Sequence, residues 1–399
     1  MTFETSQQGS IDGTFVRGGT SRGFFVRERN LPESVAIQND LANELFGSGD
    51  PIQVDGIGGS HSHTSKMMIV SPSERPGVDV DYTFVQVGIE KRTVDRSGNC
   101  GNLTSAIGLF GMLEGIVEAS EPRTSVTLYN TNTDTRVEQT IPVVEGEPAV
   151  YGEYSIDGIP GTGARIDSTF VDPAGGVTDS LFPTGQATET VTVDGTDYEV
   201  SIVDVANPNV FVRATDLGLD GTELPTELES TDGVLDRLED IRSVACERIG
   251  LVDDAADATE ERPAVPFPAI VAKPQSYPSS VDRDVGAEDQ HVTARIISNQ
   301  RPHHAYAMTG AMCLGAAANV PGTVPSSVAE PSDDGTVVIG HPKGTITVDT
   351  AVDASPSESH VESVTVRRTA RPIADMSVMY RYVGDLESLA DEGSITPNS

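Results

Sequence analysis

Two apolar, proline-free stretches, each entered through small and polar residues, constrain this chain most. The first runs from Asp95 to Val117, DRSGNCGNLTSAIGLFGMLEGIV, and the second from Tyr306 to Ala318. Each reads as a loop feeding a buried helix. In the first, Gly98 and Gly101 let the backbone turn tightly, and Asn102 or Thr104 can cap the helix. The free amides of a helix start carry roughly half a positive charge, attract a carboxylate or phosphate, and lower the pKa of a cysteine seated there. Cys100 is therefore a candidate for acid/base or nucleophilic chemistry. The plainer reading is a small apolar residue in a Gly-rich turn, since free cysteine is usually buried and inert. A second echo keeps the same order: Phe25 to Leu31 (FVRERNL) is matched by Phe211 to Leu217 (FVRATDL). Two pairs recurring in order suggest a duplicated unit. Copies facing each other would bring two helix starts onto one cleft, suited to a substrate with two or more carboxylates.

A chain of 399 residues exceeds one core and predicts two domains, set at 1–186 and 187–385, with a polar tail over 386–399. The 61 acidic residues outnumber the 26 basic ones, for a net charge of −35. Nucleic acid is thereby excluded as a partner. The acidity is spread along the chain, among persistent apolar β-rich segments, which argues for adaptation to molar salt and an extremely halophilic source rather than for disorder. At such ionic strength the Debye length is about 3 Å, and most self-repulsion is screened. Three cysteines offer no disulfide framework and fit a reducing compartment. With no charged-then-apolar leader and no apolar run near the length of a membrane span, a soluble cytoplasmic protein is expected.

Along the chain, Gly13 to Val16 and Gly23 to Val26 read as short strands around the Gly/Ser/Thr-rich turn Arg17 to Arg22, which offers amides and hydroxyls to an anion. Asn39 to Phe46 predicts a short helix stopped by Gly47. The loop Gly56 to Ser65 leads into an apolar strand, Met67 to Val70, and between them stands Lys66, one of only four lysines. A lysine desolvated there has a lowered pKa and can shuttle protons; the alternative is a strand-end lysine snorkelling to solvent. His61 and His63 lack Cys, Asp or Glu at ligand spacing and read as loop histidines, so no metal is expected. Tyr82 to Ile89, Ser125 to Val144 and a hairpin over Glu189 to Val203 read as strands. A helix is expected from about Leu235 to Ile249 with Cys246 in its core face, then an acidic linker, Asp253 to Arg262, and a strand over Ala264 to Ala272.

Eight stretches together resemble the methylaconitate cis-trans isomerase family: RGGTSRG (17–23), DGIGGSHSHTSKMMIVSP (55–72), CGN (100–102), GIPGTG (158–163), DPAG (172–175), DVANP (204–208), RPHHAYAMTG (301–310) and HPKG (341–344). The resemblance covers residues 11 to 375 and implies the diaminopimelate-epimerase-like fold. That is an α+β architecture of two pseudo-symmetric domains, each a mostly antiparallel β-barrel around a central helix, with the site between them. It implies Lys66 as the acid/base group and Cys100 beside it. Substrate contacts are implied for Thr20, Ser21, Arg22, Ser65, Gly101, Asn102, Asn207, Arg301, His303, Thr309 and Gly310. Where the parent fold has a second thiol, the matching position is read as Met308, while Cys313 lies a helical turn further in, so a two-thiol racemase is disfavoured. The chain departs from the family at Arg22, where lysine is frequent, at His61-Ser62-His63, where small residues are usual, and at Lys343, where serine is frequent.

The expected activity is a cofactor-independent isomerisation of an unsaturated di- or tricarboxylate, 2-methylaconitate foremost, through a dienolate made by removing a proton α or γ to a conjugated carboxylate. Bond rotation before the proton returns gives cis-trans isomerisation. Return at another carbon gives a double-bond shift or tautomerisation, as with methylitaconate or oxalomesaconate. The reading from another class is a carboxylate-binding protein without turnover. Besides the small-molecule substrate, a homo-oligomer is compatible with the sequence.

Overall fold

The computed structural model describes residues 7–281, 283–355, 358–383, 386 and 388; the expected tail, 386–399, lies otherwise outside the described residues. The chain builds two runs of eight strands with the same order of pairings. In the first, Ala370–Arg381 pairs with Gln8–Gly18, followed by Ser21–Arg27, Lys66–Pro72, Val80–Val87, Arg123–Asn130, Thr135–Val144 and Ile166–Val171. In the second, Glu189–Val193 is followed by Thr196–Val205, Asn207–Arg213, Phe267–Ala272, Val292–Ser298, Thr336–His341, Gly344–Ser355 and Glu358–Arg368. Each run is antiparallel except between its third and fourth and its fifth and sixth strands. Ile166–Val171 pairs antiparallel with Glu358–Arg368, and the two runs become one sheet.

The strands follow from local pattern. Arg123–Asn130 and Thr135–Val144 alternate buried and less buried positions with the period of two that a half-covered strand requires. Phe267–Ala272 is buried throughout, as befits a strand covered on both faces. The sequence echo is real in space: each FVR segment ends a strand and runs into a 3-10 turn, Glu28–Asn30 in one copy and Ala214–Leu217 in the other. The helix predicted over Asn39 to Phe46 begins earlier, at Val35, because the Ser34 side chain accepts from the Ile37 amide; it ends at Gly47, whose φ of 66° suits glycine. The helix expected near Leu235 to Ile249 is Val234–Arg248, with Cys246 fully buried. The acidic linker contains two short helical turns, Ala255–Asp257 and Ala258–Glu261.

Two differences matter for the site. The first apolar stretch is not one helix: a single turn, Gly101–Thr104, is followed after Ser105 and Ala106 by a separate helix, Ile107–Leu113. Its counterpart is unbroken over Met308–Asn319. The break is held by side chains that satisfy backbone groups locally, since Thr104 donates to the Cys100 carbonyl and Ser105 to that of Asn102. Second, Ala370–Arg381, which the sequence assigns to the second unit, pairs in the first run. The reason is shared core: Ile11 and Phe15 pack in one cluster with Val378 and Tyr380. Both central helices sit in a single larger cluster, with Leu103, Ile107 and Leu109 of one and Ala311, Cys313 and Leu314 of the other fully buried. Among the described residues, no helix is long and apolar enough to cross a membrane.

Candidate active site

A cleft of about 620 Å³, open to solvent, lies where the two central helices begin. Its floor joins the two units through one side chain. Asn207 follows Ala206, whose φ of 62° turns the chain sharply, and Asn207 is 2% exposed. Its Oδ1 accepts from the Asn99 amide (3.1 Å), and its Nδ2 donates to the Thr309 hydroxyl (3.2 Å) and the Asn99 carbonyl (3.4 Å). One amide thus fixes the loop before Cys100 against the start of the second helix. The approach is close: a Cβ on Gly101 would lie 2.5 Å from Met308 Cε, so a larger residue there would push the methionine end aside.

Lys66 is the first residue of its strand and faces the cleft, 9% exposed. Its Nζ donates to Gln86 Oε1 at 2.6 Å and lies 4.8 Å from the centre of the Phe84 ring. Burial holds its pKa below that of an ordinary lysine, a shift opposed by the hydrogen-bonding Cys100 side chain and by the charge of Asp95. Cys100 occupies the cap of the short turn, with φ −117° and ψ 88°, and its Sγ lies 3.9 Å from Ser21 Oγ. The desolvated lysine of the sequence reading is the one the fold builds, not a snorkelling one.

Four histidines gather at the mouth. His61 and His63 stack at 5.3 Å between ring centres, His63 lies 6.2 Å from His303, and His61 meets His304 edge-on at 5.7 Å. Burial pushes His63 down to about 3 and His303 down to about 4, so both rings are neutral at neutral pH. The Ala305 amide donates to His303 Nδ1 at 3.1 Å, which places the ring proton on Nε2. Among the described residues, no group of three or more His, Cys, Asp or Glu side chains could hold a metal ion.

Of the expected site residues, Ser21, Lys66, Cys100, Gly101, Asn102, Asn207, His303 and Thr309 line the cleft. Asn102 is also a strut, exchanging bonds with the Thr20 amide and hydroxyl and accepting from the buried Arg368. The other five stand off the cleft wall. Thr20 is held by Asn102, and Arg22 lies over the Phe15 ring. Ser65 is fully buried and accepts from Gln53. Arg301 is exposed and paired with Glu90. Gly310 is a packing position, where a Cβ would strike Ile296. Sequence reading missed Gln86, Phe84, Asn99 and Phe267, all lining the cleft. Gln86 had one available signal: it stands two places past Phe84 in a strand that had to pair beside Lys66.

At the two helix starts the caps are Cys100 and Ala307, both with non-helical backbone, and Met308 is the first residue of its helix. Ala307 and Met308 both line the cleft. Neither carries a thiol, and Cys313 is fully buried, 3.2 Å from the Val203 carbonyl.

A family model described as PrpF protein matches residues 8–381. The chain is 39% identical over 372 residues to a protein from Eubacterium barkeri named 3-methylitaconate isomerase, covering 93% of this chain and 97% of that one. It is 35% identical over 379 residues to one from Shewanella oneidensis named 2-methyl-aconitate isomerase, covering 92% and 95%. A solved structure of methylitaconate-delta-isomerase is 38% identical with a TM-score of 0.78, covering 95% of this chain and 98% of that one. A hydroxyproline epimerase from Agrobacterium vitis, 12% identical with a TM-score of 0.55 over 96% and 95%, shares the fold alone.

Proposed function

Because the chain belongs to the PrpF family, we propose that it is a cofactor-independent isomerase of an unsaturated di- or tricarboxylate, acting on 2-methylaconitate by cis-trans isomerisation. The observation that carries this is a buried lysine of lowered pKa, Lys66, facing a cleft beside Cys100 and the starts of two helices. Two relatives bear the names 3-methylitaconate isomerase and 2-methyl-aconitate isomerase. In this reading the first domain is 1–186 together with Ala370–Arg381, the second is the rest of 187–385, and each run of eight strands wraps around its central helix as a barrel.

The neutral Lys66 amine takes a proton α or γ to a conjugated carboxylate and becomes an ammonium. The electron pair left behind spreads into a dienolate, which the amides at the start of Met308–Asn319, the Ser21 and Thr309 hydroxyls and Asn102 stabilise. While the dienolate lasts, the former double bond rotates, and Lys66 returns the proton to the carbon it came from. Return at the other end of the dienolate gives a double-bond shift by the same residues. Cys100 lies within reach of the same proton and helps hold the lysine's charge once it forms.

The test is proton–deuterium exchange followed by NMR in deuterated buffer across aconitate, methylaconitate, methylitaconate and oxalomesaconate. Exchange with isomerisation of 2-methylaconitate is expected. Binding of these acids without exchange or conversion would leave a carboxylate-binding protein, and exchange into an amino acid would overturn the isomerase assignment.

A further inference from the structure

We propose that Gln86 is the positioning residue of the proton-transfer step: it aims the Lys66 amine into the cleft while withholding the negative charge that would keep that amine protonated. This rests on Lys66 being the base. Lys66 and Gln86 are direct partners across the antiparallel ladder, so their side chains leave the sheet on the same face. The resulting bond, from Nζ to Oε1 at 2.6 Å, fixes the nitrogen.

The orientation of the amide is set independently of the lysine. Gln86 Nε2 donates to the Ser65 carbonyl at 2.9 Å and the Ser62 carbonyl at 3.2 Å. Turning the amide over would press Oε1 against two carbonyl oxygens and Nε2 against the lysine. Only the acceptor can therefore face Nζ. Those two bonds also tie the loop carrying His61 and His63 to the strand, so one side chain sets both the lysine and the mouth of the cleft.

Charge is the second half of the argument. A carboxylate within about 4–6 Å of a lysine favours the ammonium and raises its pKa by roughly 1–3 units. An amide accepts the same hydrogen bond without that effect. The other groups facing Lys66 are the Cys100 side chain, the Phe84 ring, Asp95, and the neutral rings of His63 and His303. Asp95 is the carboxylate among them, and its Oδ1 is occupied by the Ser97 amide and hydroxyl. Gln86 touches the lysine directly, and an amide rather than a carboxylate at this position adds no charge to oppose the lowering of the Lys66 pKa by burial.

The experiment uses the full chain and its shortage of lysines. With only four lysines, 13Cε-lysine labelling resolves the titration of each, and Lys66→Met identifies the Lys66 signal. Lys66 is expected to titrate below the other three, and the rising limb of kcat/KM with pH should follow it, because activity is lost as pH falls and the amine protonates. Gln86→Glu should move both upward by about one pH unit or more, lowering kcat/KM near pH 7 by at least about tenfold and recovering part of it at high pH. Gln86→Met loses the same bonds to the loop without adding charge; it should lower kcat/KM at every pH and leave the titration no higher than the parent's. The inference is overturned if Glu and Met variants titrate alike. Should Gln86→Glu not fold, a parent Lys66 that titrates with the other three lysines, or a Gln86→Met variant with the parent's kcat/KM, overturns it instead. If Lys66→Met keeps the rising limb, Lys66 is not the base and the functional reading fails with it.

Discussion

The two halves of the molecule present the same framework to the cleft with different chemistry on it. When the FVR segments are matched, Phe25 pairs with Met68 and Phe211 with Ala269, so two places back Lys66 corresponds to Phe267. Met68 pairs in turn with Phe84, and Ala269 with Ile296, so Gln86 corresponds to Ser298. At the helix entrances the caps are Cys100 and Ala307. Lysine, glutamine and thiol on one wall are thus answered by phenylalanine, serine and alanine on the other. The helices differ in the opposite sense: the first half has a single turn and a break, the second an unbroken twelve-residue helix. A two-base epimerase needs proton donors on both faces of its substrate. In the proposed reaction one wall moves the proton, and the other supplies shape and the stronger helix-end field.

The largest expected effect comes from removing the reactive wall. Lys66→Met should abolish deuterium exchange, costing on the order of a hundredfold or more in rate with the fold intact, whereas Phe267→Leu should cost less than about tenfold. Comparable losses from both would mean that the walls share the chemistry. The tie between the halves comes next. Asn207→Ala removes bonds to Asn99 and Thr309, leaving buried partners unsatisfied. It should cost about 1–3 kcal/mol in stability, and kcat/KM should fall by roughly tenfold as the helix starts lose register. A melting temperature and kcat/KM both equal to the parent's would show that the halves need no such link.

Salt should produce the smallest change and separates the cleft from the surface. The chain carries a net charge of −35, yet the charged lining of the cleft is balanced, one lysine against one aspartate, beside the neutral rings of His63 and His303. Screening removes repulsion acting beyond a Debye length but weakens direct contacts much less. The melting temperature should rise between about 0.1 M and about 2 M KCl, and the Michaelis constant should worsen by no more than a few-fold. A melting temperature flat or falling with salt would show that the acidity is no salt adaptation. A steeply climbing Michaelis constant would mean that binding relies on exposed long-range charge.

Much of this was legible in the sequence, because local pattern writes itself into residue order. The alternating strands, the Gly47 helix stop, the paired FVR segments and the unusual setting of Lys66 all depend on neighbours within a few residues. The break after Thr104 was less so: the run AIGLFGML that follows is apolar throughout, and the Thr104 and Ser105 hydroxyls bonding back to the main chain, not hydropathy, interrupt the helix before it. What tertiary structure alone decided is which distant groups meet. Gln86 reaches Lys66 through strand register, His303 reaches His63 from 240 positions away because two units face each other, and Asn207 spans both helix starts across that seam. The same register separates Arg22, Ser65 and Arg301 from the cleft wall despite their promising sequence contexts. A motif fixes the kind of side chain and its local backbone; the direction in which that side chain points, and what it meets, follow from sheet pairing and packing between segments that the sequence holds far apart.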